Sequence, residues 1–267
     1  MRSAFKSRLP AGLWTYLGRS YDAIQRIPEL PQAYFHPWRL ASKRNLSAFK
    51  DIHKGQRCFI IGNGPSLKDL DLSRLRNEFT FGMNRIYLLF PELGFTSSYF
   101  VAINDLVIQQ CADDIHSLAI PKFLAWRAHP FIQPGADTSF LYTTYTGPKF
   151  SGDVRGRVWE GATVTYVALQ IAFHMGFDQV ILIGVDHNFV TAGTPNQTIT
   201  SEGDDPNHFA SNYFGKGFKW QLPDLQTSEM AYRIAKVAFE RSGRKVLDAT
   251  RSGKLTVFPK VDYESLF

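Results

Sequence analysis

The sequence contains no apolar run near the roughly 20 residues that a membrane-spanning helix requires. Its two cysteines, Cys58 and Cys111, are too few for a disulfide framework, so we expect reduced thiols. Histidine and cysteine are nowhere grouped at zinc spacing, which argues against a structural metal. The segment AGLWTYLGRSYD is too short and too interrupted for a signal-peptide core. These absences predict a cytoplasmic globular protein.

The positive charge is concentrated at the N-terminus. The net charge is +6, yet residues 1–57 hold eleven Lys and Arg against three Asp and Glu. Their aromatic residues, such as Phe5 and Trp14, favour either contact with an anionic membrane surface or packing on the main domain. No basic stripe continues beyond this segment, so nucleic-acid binding is not expected. We predict a basic aromatic extension over residues 1–50 and one nucleotide-binding domain over residues 51–267.

Short apolar runs alternate with helical patterns from residue 57 onward. The runs RCFIIG, FTFGMN, SSYFVAIND, PKFLAW, SFLYTTY, DQVILIGVD and RKVLDAT are typical of strands. Residues 163–177 and 228–243 have helical spacing, with a cap at Thr227 or Ser228 and with Gly176 and Gly243 as stops. The pattern predicts an α/β fold with a mostly parallel sheet, helices on both faces and a helical or irregular N-terminal extension.

Polar residues collect where the predicted strands end. In parallel α/β sheets the ligand lies outside the carboxyl ends of the strands. These positions therefore predict a single cleft, lined by Asn63, Ser66, Asn84, Arg85, Asn104, Asp105, Asp186, His187 and Asn188.

The stretch CFIIGNGPSLKDLD combines a strand with a glycine-rich turn. Leu67 stands where the dinucleotide fingerprint has its third glycine, and the Lys-Ser/Thr pair of a P-loop is absent. Nicotinamide binding and Walker-type hydrolysis therefore lose support. Two interpretations remain open: a plain strand-to-helix turn with local caps, or a nucleotide-phosphate turn whose N–H groups face an anion. The second would be built from Gly62, Asn63, Gly64, Pro65 and Ser66.

The motif IIGNGPSL closely resembles the opening of the MptE-like domain, named for archaeal 6-hydroxymethylpterin diphosphokinase, and that of a bacterial sialyltransferase family that uses CMP-activated sugars. The segments FTFGMNRIYLLF, GATVTYVALQIAFHMGFDQVILIGVDHNF and DDPNHFASNYFGKGFKW resemble bacterial MptE-like domains, some of which occur in flagellin and surface-polysaccharide glycosylation. The resemblance covers roughly residues 50–265. It implies a Rossmann-like fold and a nucleotide ligand.

The resemblance to the sialyltransferases also implies site residues. Asn63, Asn84 and Asn104 match the positions that hold the donor nucleotide, and Thr163 in EGATV loosely matches a Thr/Ser-Gly pair near it. His208 lies in the loop that carries the catalytic histidine of that family. A second aligned histidine of that family falls near Asn212, which is a departure from the pattern.

Transfer of a sugar needs groups that bind the leaving nucleotide and a base that takes the proton of the acceptor hydroxyl. It also needs groups that balance the charge that develops in the transition state. We expect His208 as the base, with His187 as the alternative, and Asp186 as an acidic group in the cleft. Lys216 and Lys219 lie in a segment with glycine hinges, and they would balance the developing negative charge. Each also has an ordinary structural interpretation, as a turn cap, a core histidine or a solvated charge. Three aromatic residues of that loop would either stack on the ligand or anchor the loop, namely Tyr213, Phe218 and Trp220.

A rival activity is transfer of diphosphate from ATP to a pterin alcohol, which requires Mg²⁺. Asp105, Asp186 and the adjacent Asp204 and Asp205 would be its ligands. A third interpretation is a domain that binds nucleotide without turnover.

Of these, we favour a glycosyltransferase with a nucleotide-sugar donor, such as a CMP-sugar, and a surface-glycan acceptor. We expect no metal site for this reaction, and peripheral contact with the inner membrane surface through residues 1–57.

Overall fold

The computed structural model of the protein describes residues 24, 26–189 and 193–267. The strands are β1 (Arg57–Ile61), β2 (Phe79–Met83), β3 (Tyr99–Ala102), β4 (Lys122–Ala125), β5 (Thr138–Thr144), β6 (Arg157–Trp159), β7 (Gln179–Ile183), β8 (Thr198–Thr200), β9 (Lys219–Gln221) and β10 (Lys245–Asp248). The α-helices are α1 (Leu30–Phe35), α2 (Pro37–Ala48), α3 (Phe90–Leu93), α4 (Asp105–Gln110), α5 (Ala112–Ser117), α6 (Val164–Met175) and α7 (Leu225–Arg241).

Eight strands form one sheet in the order β10-β7-β1-β2-β3-β4-β5-β6, and every neighbouring pair in it is parallel. The strand residues are almost all buried because apolar clusters cover both faces. Cys58 and Ile60 belong to one cluster, whereas Phe59 and Ile61 belong to the other. This architecture confirms the predicted α/β fold with a parallel sheet between helical layers.

The strand order reverses between β1 and β7. Strands β1 to β6 follow one another across the sheet, and α6 then returns the chain to the other side of β1. Gly176 ends α6 at φ 91°, as the sequence predicted, and Thr163 caps the start of the helix with its hydroxyl. In open α/β sheets a ligand binds at such a reversal, outside the carboxyl ends of the strands. The fold therefore places the GNGPS turn beside the residues that follow β7.

The described part of the N-terminal extension is helical and packs on the sheet. Leu46 of α2 is fully buried in the core, and the Ser42 hydroxyl accepts the Phe140 N–H of β5 at 2.9 Å. The Arg39 guanidinium is also buried, and it donates to the Arg155 carbonyl at 2.9 Å. Phe5 and Trp14 lie outside the described residues. The predicted boundary at residue 50 thus falls two residues after a helix that belongs to the packed structure.

Two local predictions differ from the structure. Helix α7 begins at Leu225 rather than at residue 228, because Asp224 Oδ1 accepts the Thr227 N–H at 2.9 Å and so forms the N-cap. Strands β8 and β9 were not predicted; they form an antiparallel hairpin in which Ile199 pairs with Trp220. The strands are three residues long and mostly exposed, so they carry little hydrophobic pattern.

Two buried histidines predict how stability depends on pH. Burial lowers the pKa of His53 and of His174 below the ordinary value, although hydrogen bonds to Gln56 and the Leu46 carbonyl partly oppose it. Unfolded histidines titrate near pH 6.5, so below that pH the unfolded state binds more protons than the folded state. We expect the melting temperature to fall from pH 7 to pH 5. A His174→Gln variant should show a shallower slope, whereas His116→Gln, at an exposed histidine, should not. An unchanged slope in His174→Gln would contradict this prediction.

Candidate active site

The turn after β1 is hydrogen-bonded to the residues that follow β7. The Gly62 N–H donates to the Ile183 carbonyl at 2.7 Å, and the Gly64 N–H donates to the Gly184 carbonyl at 2.9 Å. A Cβ atom on Gly62 would lie 2.1 Å from the Gly184 oxygen. A Cβ atom on Gly64 would lie 1.7 Å from a carboxylate oxygen of Asp186. The close approach of two backbone segments therefore requires Gly62, whereas Gly64 is required mainly by the Asp186 carboxylate that lies against it.

Asp186 fixes the start of the short 3₁₀-helix Pro65–Asp69. Its Oδ1 accepts the Ser66 N–H at 3.3 Å, and its Oδ2 accepts the Ser66 hydroxyl at 2.8 Å. Burial raises the pKa of Asp186, and the Ser66 hydrogen bonds act in the opposite direction. The turn N–H groups of Gly62, Gly64 and Ser66 thus have protein partners, and Pro65 has no N–H. These three N–H groups are therefore bonded within the protein, as the interpretation of a turn with local caps expects.

Asn63 and Asn84 place unpaired amide oxygens at the ends of β1 and β2. Asn63 Nδ2 donates to the Met83 carbonyl at 3.1 Å, whereas its Oδ1 atom is buried without a hydrogen-bond partner. The Oδ1 atom of Asn84 is also buried and unpaired, and this residue has a left-handed backbone with φ 51°. Buried amide oxygens ordinarily have a donor. The two asparagines therefore hold unused acceptor atoms at the carboxyl ends of β1 and β2.

The hairpin loop between β8 and β9, residues 201–218, is called here the His208 loop. It lies over the turn after β1, since the Phe209 N–H donates to the Asn63 carbonyl at 2.9 Å. It also packs on the end of β2, where the Arg85 N–H donates to the Tyr213 hydroxyl at 3.2 Å and the Arg85 guanidinium donates to the Tyr213 carbonyl. These contacts bring His208 to the carboxyl ends of β1 and β2.

His208 is held on two sides. Its Nδ1 atom lies 2.8 Å from Asp205 Oδ2, and its ring stacks on Tyr213 with a centroid distance of 4.0 Å and an interplanar angle of 4°. The Asp205 side chain is 4% exposed and that of His208 is 12% exposed. The arrangement gives an oriented imidazole beside an acceptor carboxylate, which is the geometry of a general base.

Asn104 and Asp105 extend the site toward β3 but have partners of their own. Asn104 Oδ1 caps α4 by accepting the Leu106 and Val107 N–H groups, and its Nδ2 donates to Gln221 Oε1 at 3.2 Å. Asp105 pairs with Arg127 at 3.0 Å, and Arg127 also pairs with Glu160, which follows β6, at 2.9 Å. Both predicted residues therefore lie at the expected edge of the sheet, within a protein network.

Thr163 and His187 form a separate group with α7. The Thr163 hydroxyl lies 3.4 Å from the Tyr232 hydroxyl, and the His187 ring lies 6.1 Å from the Tyr232 ring. Burial lowers the pKa of His187, and Glu229 opposes this from 4.0 Å. Tyr232 packs in the apolar cluster on one face of the sheet, whereas Tyr213, under His208, packs in the other. The two candidate histidines thus lie toward opposite faces.

The aromatic residues and lysines of the His208 loop and of the adjoining strand β9 form two groups, buried residues that anchor the loop and exposed charges. Tyr213 is fully buried and Trp220, in β9, is 9% exposed, so they anchor the loop and offer no face to a ligand. This selects the anchoring alternative for these two aromatic residues. Phe218 is half-buried beneath the Arg85 guanidinium. Lys216 and Lys219 are exposed.

Backbone strain also marks this edge of the sheet. Asn84 follows β2, Ala162 precedes α6 and His187 follows β7, and all three have φ between 51° and 59°. Such values are uncommon for residues other than glycine, and strained residues often occur at functional sites. Their positions agree with the ligand site that the strand order indicates.

A family model described as "6-hydroxymethylpterin diphosphokinase MptE-like" matches residues 39–192, more than half of the sequence. The chain belongs to the MptE-like family. This membership confirms the resemblance that the motifs indicated. The matched range of the MptE-like domain includes the turn after β1 and Asp186, and it ends before the His208 loop.

The fold of this MptE-like protein is similar to that of a solved structure, the MAf glycosyltransferase from Magnetospirillum magneticum AMB-1. The TM-score is 0.50 and the sequence identity is 13%, over 86% of this chain and 39% of that chain. At this identity the similarity concerns the fold alone, and the present chain spans well under half of that glycosyltransferase. No curated protein matches the sequence.

Two further observations bear on the site and the surroundings of this MptE-like protein. Among the residues that the structure describes, no three His, Cys, Asp or Glu side chains are grouped so that they would hold a metal ion. Within the same residues, no helix is both long and apolar enough to cross a membrane.

Sequence reasoning missed the roles of two residues at this site. Arg85 was expected only to line the cleft, yet it binds the His208 loop through its N–H and its guanidinium. Asp205 was considered as a magnesium ligand or as an ordinary residue of the loop surface, yet it pairs with His208. Its spacing three residues before a histidine was the available signal, but that spacing alone does not reveal which of two adjacent aspartates faces the ring.

Proposed function

We propose that this protein is a glycosyltransferase that transfers a sugar from a nucleotide donor to a hydroxyl group of a glycan. The observation that carries the proposal is the His208–Asp205 pair, which the His208 loop holds over the turn at the strand-order reversal. The fold similarity to a glycosyltransferase supports the same class, although a fold does not determine a reaction.

The role proposed for each residue follows from its contacts. Asn63 and Asn84 hold the nucleotide through their unpaired oxygens, which suit amino or hydroxyl donors of a base or ribose. The turn containing Gly62, Gly64 and Pro65 shapes the cleft, while Asp186 and Ser66 stiffen it. Asn104, Thr163 and His187 line its borders in this proposal. Two exposed cations are the candidates that bind the phosphate, Lys216 of the His208 loop and Lys219 at the start of β9.

His208 provides the base in this proposal. Its side chain is 12% exposed, and the proposal takes Nε2, the nitrogen that does not contact Asp205, as the atom that meets the acceptor hydroxyl. Removal of that proton lets the oxygen attack the anomeric carbon while the bond to the nucleotide phosphate breaks. A CMP-sugar is the donor that the sialyltransferase resemblance favours, and a surface glycan is the acceptor. Contact of residues 1–57 with the inner membrane surface remains part of the proposal, and residues 1–23 and 25 lie outside the described residues.

The second candidate is the Mg²⁺-dependent diphosphokinase that the family description names. It needs carboxylates to hold Mg²⁺ between phosphates. Asp186 is bonded to Ser66, and Asp205 is bonded to His208. Asp105 pairs with Arg127 but its side chain is 50% exposed, so it is the best placed of the three to bind Mg²⁺ in that reaction.

A panel of nucleotides separates the two candidates. We expect CMP, or another nucleotide that carries sugars, to raise the melting temperature without metal, because a ligand that binds only the folded state stabilises it. The measurement compares CMP, CDP, UDP, GDP, ADP and ATP, each with and without Mg²⁺. At a concentration of 100 times Kd the stabilisation is about 2.7 kcal/mol. Stabilisation by ATP only in the presence of Mg²⁺ would instead support the diphosphokinase.

A further inference from the structure

The contact between His208 and Asp205 determines which nitrogen of the imidazole carries the proton. An ionised carboxylate only accepts hydrogen bonds, so the Nδ1 atom that lies 2.8 Å from Asp205 Oδ2 must be the donor. In a neutral imidazole the other nitrogen, Nε2, then carries the lone pair.

The Asp205 carboxylate is itself fixed by the loop. Its second oxygen, Oδ1, accepts the Asn207 N–H at 2.9 Å, and its backbone N–H donates to the Ser211 carbonyl at 2.8 Å. The His208 ring cannot easily tilt away from this carboxylate, because it lies flat on the buried Tyr213 ring. The neighbouring Asp204 is exposed.

We propose that Asp205 is a positioning residue that keeps His208 in the Nδ1–H tautomer, which makes Nε2 the proton acceptor of the transfer reaction. The inference rests on the proposed glycosyltransferase function. The acceptor hydroxyl gives its proton to Nε2 as its oxygen bonds to the anomeric carbon, and the nucleotide leaves with the electron pair of the broken bond. Asp205 stabilises the imidazolium until the Nε2 proton passes to water.

The Asp205→Asn variant tests this with little change in shape. Its amide oxygen can still accept the Asn207 N–H, while its amide nitrogen would face Nδ1 and donate to it. His208 should therefore switch to the Nε2–H tautomer. Turnover should fall about 10²–10⁴-fold, with nucleotide affinity within about twofold of the wild type. Asp113→Asn removes the same charge from an exposed position on α5 and should leave both the tautomer and the turnover unchanged.

Nitrogen-15 NMR of the His208 imidazole at pH 8 identifies its tautomer without an activity assay. A wild-type His208 that carries its proton on Nε2 would overturn the inference, as would an unchanged tautomer in Asp205→Asn. The wild-type spectrum decides this even if the variant does not fold. Absence of turnover with every nucleotide sugar would refute the proposed function and the role of Nε2 in it. The tautomer would then still report whether Asp205 orients the ring.

Discussion

Replacement of His208 by asparagine should reduce turnover of a nucleotide sugar about 10²–10⁴-fold, which is the usual contribution of a general base. The asparagine amide can occupy the position of Nδ1 and still donate to Asp205, so the loop keeps its hydrogen bond. Only Nε2 and part of the stacking on Tyr213 are lost. Nucleotide affinity should stay within about twofold, because the base acts in the chemical step and not in ground-state binding.

The measurement is nucleotide release from the donor that the binding panel selects, in the presence of water or a glycan acceptor. His116→Asn is the matched control, since His116 is exposed at the end of α5. The stabilisation by nucleotide is recorded for all three proteins, so that loss of fold is separated from loss of chemistry. If His208→Asn retained more than about a third of the wild-type turnover, His208 would not be the base, since a general base contributes at least about 10²-fold.

The strands of the sheet could be predicted because the sequence pattern of a buried strand is local. Strands buried on both faces appear as continuous apolar runs, and RCFIIG and DQVILIGVD both form interior strands with a neighbour on each side. The edge of the sheet at which the polar residues collect was equally predictable, because parallel strands bring their carboxyl ends to one edge. Helix α6 was predicted to the residue at its glycine stop, since Gly176 takes the left-handed conformation that ends a helix.

The partners of the site residues could not be predicted, because they depend on strand order. The side-by-side register of β1 and β7 decides that the Gly62 N–H donates to the last residue of β7 and the Gly64 N–H to the residue after it. In the same way, only the folded loop shows that Asp205, and not the adjacent Asp204, meets His208. The sequence indicates which residue types lie at the carboxyl ends of the strands, whereas three-dimensional packing determines their hydrogen bonds.

The same register makes Gly62 the residue of the turn where an added methyl group should cost most. The nearest atoms to its Cβ would be the Gly184 oxygen at 2.1 Å, the Gly184 carbonyl carbon at 2.5 Å and the Val185 nitrogen at 3.0 Å. All are backbone atoms, so no side chain can rotate away. To relieve the contact, the two segments joined by the Gly62–Ile183 hydrogen bond of 2.7 Å would have to move apart.

Gly62→Ala should therefore destabilise the fold by about 3 kcal/mol or more, the upper range for overpacking in a rigid core. For a chain of this size that corresponds to a melting temperature lower by about 6–12 °C. Gly156→Ala is the control, because its nearest non-neighbouring atom is the Asp153 oxygen at an ordinary 3.9 Å, and neither glycine is in the left-handed region. Thermal unfolding without nucleotide compares the two variants. Equal melting temperatures would mean that the turn after β1 can move away from β7, and Asn63 would then not be held in place by the backbone around it.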